Sequence, residues 1–231
     1  MLYFAGCMTH LTPRILRSVE VLFRKARLDY AFADRDGGIC CGRPLMLAGR
    51  VDAAAETVAA NKRMIEASGC NTLVLSCPIC YKIFKEEYGL SGIRVVHYTQ
   101  FIKELLDGGK LSVTKGNGSV VYHDPCELGR GCGVYAEPRA VLGRVAELEN
   151  PSKNGDESVC CGGSLGSLTL NANDRKWITA GSVSALLKAP DGKPLHPDAL
   201  VTACPLCLKT FGEAAPVPVK DFAEIILEHS A

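Results

Sequence analysis

The sequence predicts an α/β protein built by tandem duplication of one parallel-sheet unit, and three observations lead to this. Ten of the twelve cysteines form two sets with matching order and spacing. Apolar strand-like runs alternate with helix-like segments in the same order around each set, which indicates parallel sheets covered by helices on both faces. A short glycine-rich stretch at 107–118 separates the sets. We therefore expect two similar halves, 1–112 and 117–231.

The elements of the two halves follow one order. Each half begins with an apolar strand, and a helix follows; in the first half Ile15, Val19 and Leu22 recur at helical spacing. A short strand then leads to a Cys-Cys-Gly turn and a second helix. A buried strand ends at Cys-Pro-x-Cys, where another helix starts, and a last strand precedes a closing helix. The main predicted ranges are 2–6, 51–67, 72–76, 94–97 and 99–106 in the first half, and 120–123, 174–187, 199–203, 217–220 and 222–228 in the second.

The cysteines carry the strongest functional signal. Matching members lie 119, 120 and 127 residues apart, and an insertion near 190–194 explains the last step. Cysteines 7, 77, 126 and 204 each follow a predicted strand. Because reactive groups in parallel α/β sheets lie at the carboxyl ends of strands, each set can converge at one sheet edge. The first thiol set is Cys7, Cys40, Cys41, Cys77 and Cys80; the second thiol set is Cys126, Cys160, Cys161, Cys204 and Cys207.

Local chemistry supports metal binding by these residues. A cysteine before a helix-starting proline lies where free N–H groups and the helix dipole favour a thiolate. Adjacent cysteines can serve one centre only on a sharp turn, which Gly42 and Gly162 allow through positive φ. A lone Cys-Pro-x-Cys also fits a thioredoxin-like dithiol. Structural zinc takes four ligands, so five overfill it, whereas soft thiolates also select iron–sulfur clusters or copper(I).

Several runs resemble the cysteine-rich CCG domain family. It includes the B and D subunits of heterodisulfide reductase and the iron–sulfur subunits of glycerol-3-phosphate, glycolate and lactate dehydrogenase systems. Its pattern is a lone cysteine, a Cys-Cys-Gly and a Cys-x-x-Cys at these spacings. Tyr-His-Asp-Pro-Cys at 122–126 and Leu-Gly-Arg at 128–130 resemble the start of the family's second repeat, and Val-His-Tyr-Thr-Gln at 96–100 resembles a repeat end. The resemblance covers essentially the whole chain, but Glu127 stands where many relatives have histidine.

The resemblance implies that each thiol set holds a [4Fe-4S] cluster of the noncubane type, although a four-ligand cubane with a spare thiol fits the same residues. It implies an oxidoreductase component like the heterodisulfide reductase B subunit, which reduces or forms a disulfide-type substrate with electrons from a partner. The sequence has no ferredoxin-type cysteine run, so we expect a ferredoxin-like or flavin subunit as partner. The alternatives are an electron-transfer protein that links a flavin dehydrogenase to a quinone or other carrier, and a structural zinc or thiol module.

The charge balance, the absence of other motifs and the remaining histidines and cysteines limit which other functions the sequence allows. Twenty-six basic and 25 acidic residues argue against nucleic acid as the main partner. No nucleotide or flavin motif is present, and Gly162, Gly163, Ser164 and Gly166 fit backbone wrapped around a cluster instead. The sequence shows no signal peptide or transmembrane run, so we expect a cytoplasmic protein, with membrane association only through a partner. His97 and His123 are the catalytic candidates. In the alignment of the halves, His97 matches Lys220 and His123 matches Phe4. Cys70 is expected in the core, and Cys132 either there or as an exposed thiol.

Overall fold

Two four-stranded parallel sheets form the protein in the computed structural model, which describes residues 1–163 and 170–231. Their strand orders, β2-β1-β3-β4 and β6-β5-β7-β8, are the same. The predicted α/β duplication is thereby confirmed. The strands are β1 (Leu2–Phe4), β2 (Ala31–Phe32), β3 (Thr72–Leu75) and β4 (Arg94–His97), then β5 (Ser119–His123), β6 (Glu147–Glu149), β7 (Ala199–Thr202) and β8 (Val219–Asp221).

Helices connect the strands in both halves. Among the described helices, none is long and apolar enough to cross a membrane. A 3₁₀ turn at Gly155–Glu157 precedes the second Cys-Cys-Gly. The helices are α1 (Cys7–His10), α2 (Pro13–Lys25), α3 (Arg43–Leu47), α4 (Val51–Ala67), α5 (Pro78–Glu86), α6 (Tyr98–Asp107), α7 (Gly129–Cys132), α8 (Ala136–Leu142), α9 (Ala172–Leu186), α10 (Pro205–Gly212) and α11 (Phe222–Glu228).

Burial explains why the elements form where the apolar pattern placed them. The central strands β1 and β3 are almost wholly buried, as parallel strands covered on both faces are. In α2 the predicted stripe of Ile15, Val19 and Leu22 faces the core. The last strand of the second half begins at Val219, two residues later than predicted, because Pro218 has no N–H to give to the ladder.

The register of the sheets corrects one predicted equivalence. His97 lies opposite Leu75, and Asp221 lies opposite Thr202, the counterpart of Leu75. His97 therefore matches Asp221 and not Lys220. Each of the two is the residue just before its closing helix, His97 before α6 and Asp221 before α11. The match of His123 with Phe4 is correct, since Phe4 lies opposite Leu75 and His123 opposite Thr202.

The main hydrophobic core extends through both halves. Helix α2 packs against α11, and α6 packs against α8. Between them the Tyr98 hydroxyl donates to the Asp221 carboxylate, at 3.0 and 2.8 Å from its two oxygens. The Tyr98 ring meets Phe222 edge-on, with the centroids 5.7 Å apart. Burial raises the pKa of Asp221 to about 7, so this inter-half contact contains a carboxyl group that is costly to ionise.

The predicted insertion lies away from the cysteines. Residues 189–194 form a turn between α9 and β7, and an antiparallel bridge joins Lys188 to Pro194. The turn leads into the amino end of β7, whereas the cysteines lie at the carboxyl ends of the strands. The insertion is therefore an exposed loop on the opposite edge of the sheet.

Candidate metal centres

The lone cysteines and the Cys-Pro-x-Cys units meet at the centre of each sheet. In the order β2-β1-β3-β4 the chain leaves β1 to one side and returns on the other, so the crevice outside β1 and β3 is a topological switch point. Cys7 follows β1, and Cys77 follows β3 directly before α5. Cys126 and Cys204 lie in the same positions after β5 and β7.

Each thiol set forms one unbroken series of sulfur contacts. The sulfurs of Cys161 and Cys207 lie 3.1 Å apart. The order of contacts is identical in the halves, so all ten predicted cysteines are brought together as two groups of five. The series are Cys7–Cys40–Cys41–Cys80–Cys77 and Cys126–Cys160–Cys161–Cys207–Cys204.

The glycine after each vicinal pair makes the turn that lets both cysteines face one centre. Gly42 has φ 87° and Gly162 has φ 82°, a region that glycine enters without strain. Their N–H groups point back at the first cysteine of each pair, 3.4 Å from the sulfur of Cys40 and of Cys160. Donors of this kind stabilise a thiolate at that position.

Side chains behind the turns hold the carbonyls of the cysteine pairs. Asn61 donates to the Cys40 carbonyl at 2.9 Å, and the Tyr88 hydroxyl donates to the Cys41 carbonyl at 3.0 Å. In the second half the Thr179 hydroxyl donates to the Cys161 carbonyl at 2.8 Å. These contacts hold the turns from behind: from α4 and the segment after α5 in the first half, and from α9 in the second.

The contacts between sulfurs shift the pKa values of the cysteines in opposite directions, raising those of Cys7 and Cys126 and lowering those of Cys40 and Cys160. Hydrogen bonds from the Cys41 and Cys7 thiols lower the pKa of Cys40, against the opposing effect of burial. Hydrogen bonds from the Cys126 and Cys161 thiols lower the pKa of Cys160 in the same way. The first cysteine of each vicinal pair therefore ionises more readily than a free cysteine.

The exposure of the cysteines shows which side of each thiol set is open to solvent. Three members of each set are buried: Cys41, Cys77 and Cys80 in the first, and Cys161, Cys204 and Cys207 in the second. The lone cysteine and the first cysteine of the vicinal pair are partly exposed in both. A small cavity of ≈ 10 Å³ lies between the halves, where Pro78 and Ile79 of the first half face four cysteines of the second thiol set.

The donor chemistry fits a cluster of several soft metal ions. Within residues 1–163 and 170–231, no three histidine, cysteine, aspartate or glutamate side chains are arranged to hold a single ion. Each group instead offers five sulfurs in series. Thiolates are the ligands of iron–sulfur clusters, and N–H groups directed at sulfur are the usual surroundings of such clusters. Gly163 lies beside this turn, whereas Ser164 and Gly166 lie outside the described residues.

The two histidines are buried and bonded within the protein. His97 Nδ1 pairs with the Thr99 hydroxyl at 2.9 Å, and burial lowers its pKa to about 3. His123 Nε2 donates to the Val159 carbonyl at 3.1 Å, and burial lowers its pKa to about 4. Both rings are therefore neutral near pH 7. His123 ties the end of β5 to the residue before Cys160.

Two buried aspartates belong to the site and were not predicted. The Asp34 side chain accepts the N–H groups of Ala5 at 2.9 Å and Gly6 at 2.8 Å, just before Cys7, and a weaker one from Ile39 at 3.4 Å, just before Cys40. The Nε2 of His10 lies 3.3 Å from the same carboxylate. One carboxylate thus joins the segments that carry Cys7 and Cys40.

In the second half Asp124 joins the two corresponding segments, the strand end before Cys126 and the loop before Cys160, but it lies on the strand end and not on the loop. It lies at the end of β5, next to His123, and accepts the N–H of Gly155 at 2.8 Å from the loop that leads to Cys160. Arg139 holds its two oxygens in a bidentate ion pair. The run before Cys126 could have drawn attention to Asp124, whereas no local signal marks Asp34.

The two remaining cysteines stay apart from the series. Cys70 is partly buried and packs against the first-half core, so the expected core position is only partly realised. Cys132 is also partly buried, in α7, and burial raises its pKa.

Comparison with known proteins agrees with this geometry. The family model of the cysteine-rich domain matches residues 1–85 and again 120–212. The chain is 34% identical to the B subunit of fumarate reductase (CoM/CoB) from Methanothermobacter marburgensis, over 89% of the chain and 40% of the relative. It is 31% identical to EtfAB:quinone oxidoreductase of Syntrophomonas wolfei, over 90% and 30%. It is 26% identical to the D subunit of dihydromethanophenazine:CoB–CoM heterodisulfide reductase from Methanosarcina barkeri, over 99% and 58%. The chain thus spans less than two thirds of each of these relatives.

Proposed function

Because the chain belongs to the cysteine-rich domain family and contains its unit twice, we propose that each thiol set holds one [4Fe-4S] cluster of the noncubane type. The observation that carries this proposal is the pair of matching five-sulfur series. Five sulfurs exceed the four that a structural zinc takes, and both series are complete. The chain would then be an iron–sulfur oxidoreductase subunit with two redox centres.

We further propose that the substrate is a disulfide or the corresponding pair of thiols. The cleavage of one S–S bond takes up two electrons and two protons and gives two thiols, and the reverse reaction releases them. Clusters bound at the two sites would supply one-electron chemistry at neighbouring positions. The chain's own part is to keep Cys7, Cys40, Cys126 and Cys160 partly open, so that a substrate can approach both sites. The relative named as the D subunit of a heterodisulfide reductase supports this choice.

A second function is supported by the relative named EtfAB:quinone oxidoreductase. In that role the chain would only pass electrons between a flavin dehydrogenase and a quinone or another carrier. Both functions require a partner protein, either ferredoxin-like or flavin-containing. Any association with a membrane would come through such a partner.

Metal analysis of anaerobically purified chain tests the first proposal. We expect about eight irons and eight sulfides per chain, since two [4Fe-4S] clusters contain that number. A matched pair of variants, Cys80→Ala and Cys207→Ala, should each lower the iron content by about half, because each removes a buried ligand from one set. About four irons in the wild type, or zinc, would refute the two-cluster proposal.

Reoxidation of the reduced chain separates the two functions. A disulfide substrate should reoxidise the chemically reduced chain without any partner, and the thiols formed should equal the electrons removed. A quinone analogue serves as the comparison. Reoxidation by the quinone alone would favour the electron-transfer function and contradict the disulfide proposal.

A further inference from the structure

We infer that Asp34 and Asp124 are positioning residues that hold the lone cysteine of each set against its vicinal pair before any metal binds. The inference rests on the proposed ligand sets and assigns to two carboxylates a role that sequence patterns do not reveal. Both act on the same pair of segments, the end of a central strand and the loop that precedes Cys-Cys-Gly. They act from opposite sides of that pair.

In the first half the carboxylate belongs to the loop. The Asp34 side chain is fully buried, and its oxygens accept two N–H groups from the strand end at 2.8–2.9 Å. The contact with Ile39 returns to the loop, and the Cys7 N–H donates to the Ile39 carbonyl at 3.1 Å. Hydrogen bonds to an ionised acceptor are worth about twice those between neutral groups. The backbone on either side of Cys7 is therefore fastened to the loop that ends at Cys40.

In the second half the carboxylate belongs to the strand end. Asp124 lies two residues before Cys126, and its side chain is 2% exposed. It accepts the Gly155 N–H from the loop, and the Ser158 hydroxyl donates to the Asp124 carbonyl at 3.3 Å. Arg139 compensates the buried charge. In the first half the carboxylate comes from the loop and the N–H groups come from the strand end. In the second half the carboxylate comes from the strand end and the N–H group comes from the loop. The two segments that are joined are the same in both halves.

Carboxylates on different segments that join the same two segments indicate that the join itself is required, because it holds the lone cysteine against the vicinal pair. If the carboxylates served only the general stability of the core, the duplicated unit would have no reason to place one beside each lone cysteine. In both halves the fastened segments bring two partly exposed sulfurs into contact, Cys7 with Cys40 and Cys126 with Cys160. A ligand pair held in place in this way needs less ordering when the metal arrives.

Disulfide formation in the metal-free, reduced chain tests the inference without iron. Diamide oxidises two neighbouring thiols to a disulfide and is itself reduced to the hydrazine, and mass spectrometry reports which pair has joined. In Asp34→Ala we expect the Cys7–Cys40 disulfide to form at about a tenth of the wild-type rate or less, because the loss of one hydrogen bond to a charged group is worth at least that factor. The Cys126–Cys160 disulfide should form at the wild-type rate in the same molecule.

Asp124→Ala is the matched control and should show the opposite pattern. Asp34→Asn, which keeps the size of the side chain and one oxygen acceptor, should give an intermediate rate. The pair in the other half reports in each variant that the chain is folded. Unchanged rates for Cys7–Cys40 in both Asp34 variants would overturn the inference, and so would equal slowing of both pairs. A wild-type chain that binds no iron would refute the cluster proposal and leave this result standing.

Discussion

One hydroxyl in the second half lacks the partner that its counterpart has in the first. The Tyr3 hydroxyl pairs with the Ser76 hydroxyl at 3.0 Å, and Ser76 pairs in turn with Thr9. Tyr122 is the counterpart of Tyr3, since each lies opposite a valine of the neighbouring strand. The Tyr122 hydroxyl is buried and has no hydrogen-bond partner among the described residues. The position of Ser76 is taken by Ala203, so Ala203→Ser should restore the missing bond.

The size of the effect follows from the first half. Tyr3 is fully buried and so is Ala203, and the tyrosine–serine pair fits the same strand geometry. A net hydrogen bond in a protein is worth about 1 kcal/mol, and a buried unsatisfied group costs about 1–3 kcal/mol. We therefore expect Ala203→Ser to raise the free energy of unfolding by about 1 kcal/mol. For a chain of this size, that corresponds to about 2–4 °C in melting temperature.

The assay is urea unfolding of the reduced, metal-free chain under anaerobic conditions. Tyr122→Phe removes the hydroxyl, and in that background Ala203→Ser should no longer stabilise the chain. The double-mutant cycle should therefore give a coupling of about 1 kcal/mol between the two positions. If the serine changes the free energy of unfolding equally with tyrosine and with phenylalanine at position 122, no hydrogen bond joins the two side chains.

Three further predictions concern other parts of the chain. Gly6→Ala should destabilise the chain by about 1–3 kcal/mol and lower iron binding at the first site. Gly6 has φ 81° and ψ 159°, and a β-carbon there would lie 3.0 Å from the Cys80 sulfur. The control is Gly49→Ala, where φ is 69° and the space around the β-carbon is open, and it should leave iron binding unchanged. Asp221→Asn should flatten the pH dependence of stability. A pKa of about 7 in the folded chain against 3.8 in the unfolded chain makes the free energy of unfolding fall by about 3 kcal/mol as pH rises from 4 to 7. An unchanged unfolding profile over that range would contradict the burial of this carboxyl. Cys70→Ser and Cys132→Ser should each keep the wild-type iron content in the metal analysis, and a loss of iron in either would place that thiol in a site.

Local patterns account for most of the fold. The predicted ranges 51–67 and 222–228 coincide with α4 and α11, because one is rich in alanine and free of glycine and proline, and the other begins at a capping aspartate. Proline after Cys77 and Cys204 starts α5 and α10 where expected. The duplicated spacing then places the lone cysteines at the ends of the central strands. The grouping of cysteines into two sets of five was predictable on these grounds, whereas their role as ligands stays a prediction.

The parts that were missed depend on contacts between distant segments. The match of His97 with Lys220 was wrong by one residue, because only the pairing of β4 with β3, and of β8 with β7, determines the register. Asp34 acts on residues 28 and 29 positions away in the chain, where no spacing rule applies. The contact between Tyr98 and Asp221 spans 123 residues. Such contacts follow from packing, which a single sequence does not display.

The comparison of the halves separates the groups that are identical at both sites from the groups that hold those sites in place by different means. Both copies keep five sulfurs in the same order, the glycine after the vicinal pair, and the proline after the first cysteine of the Cys-x-x-Cys unit. The supporting groups differ: the carboxylate changes segments between Asp34 and Asp124, and the hydroxyl of Ser76 is absent at Ala203. A duplicated unit can replace its supports one at a time, because each alternative support produces the same sulfur arrangement. The sulfur positions themselves allow no such exchange, and this is why the functional prediction belongs with the ten cysteines and not with the polar side chains around them.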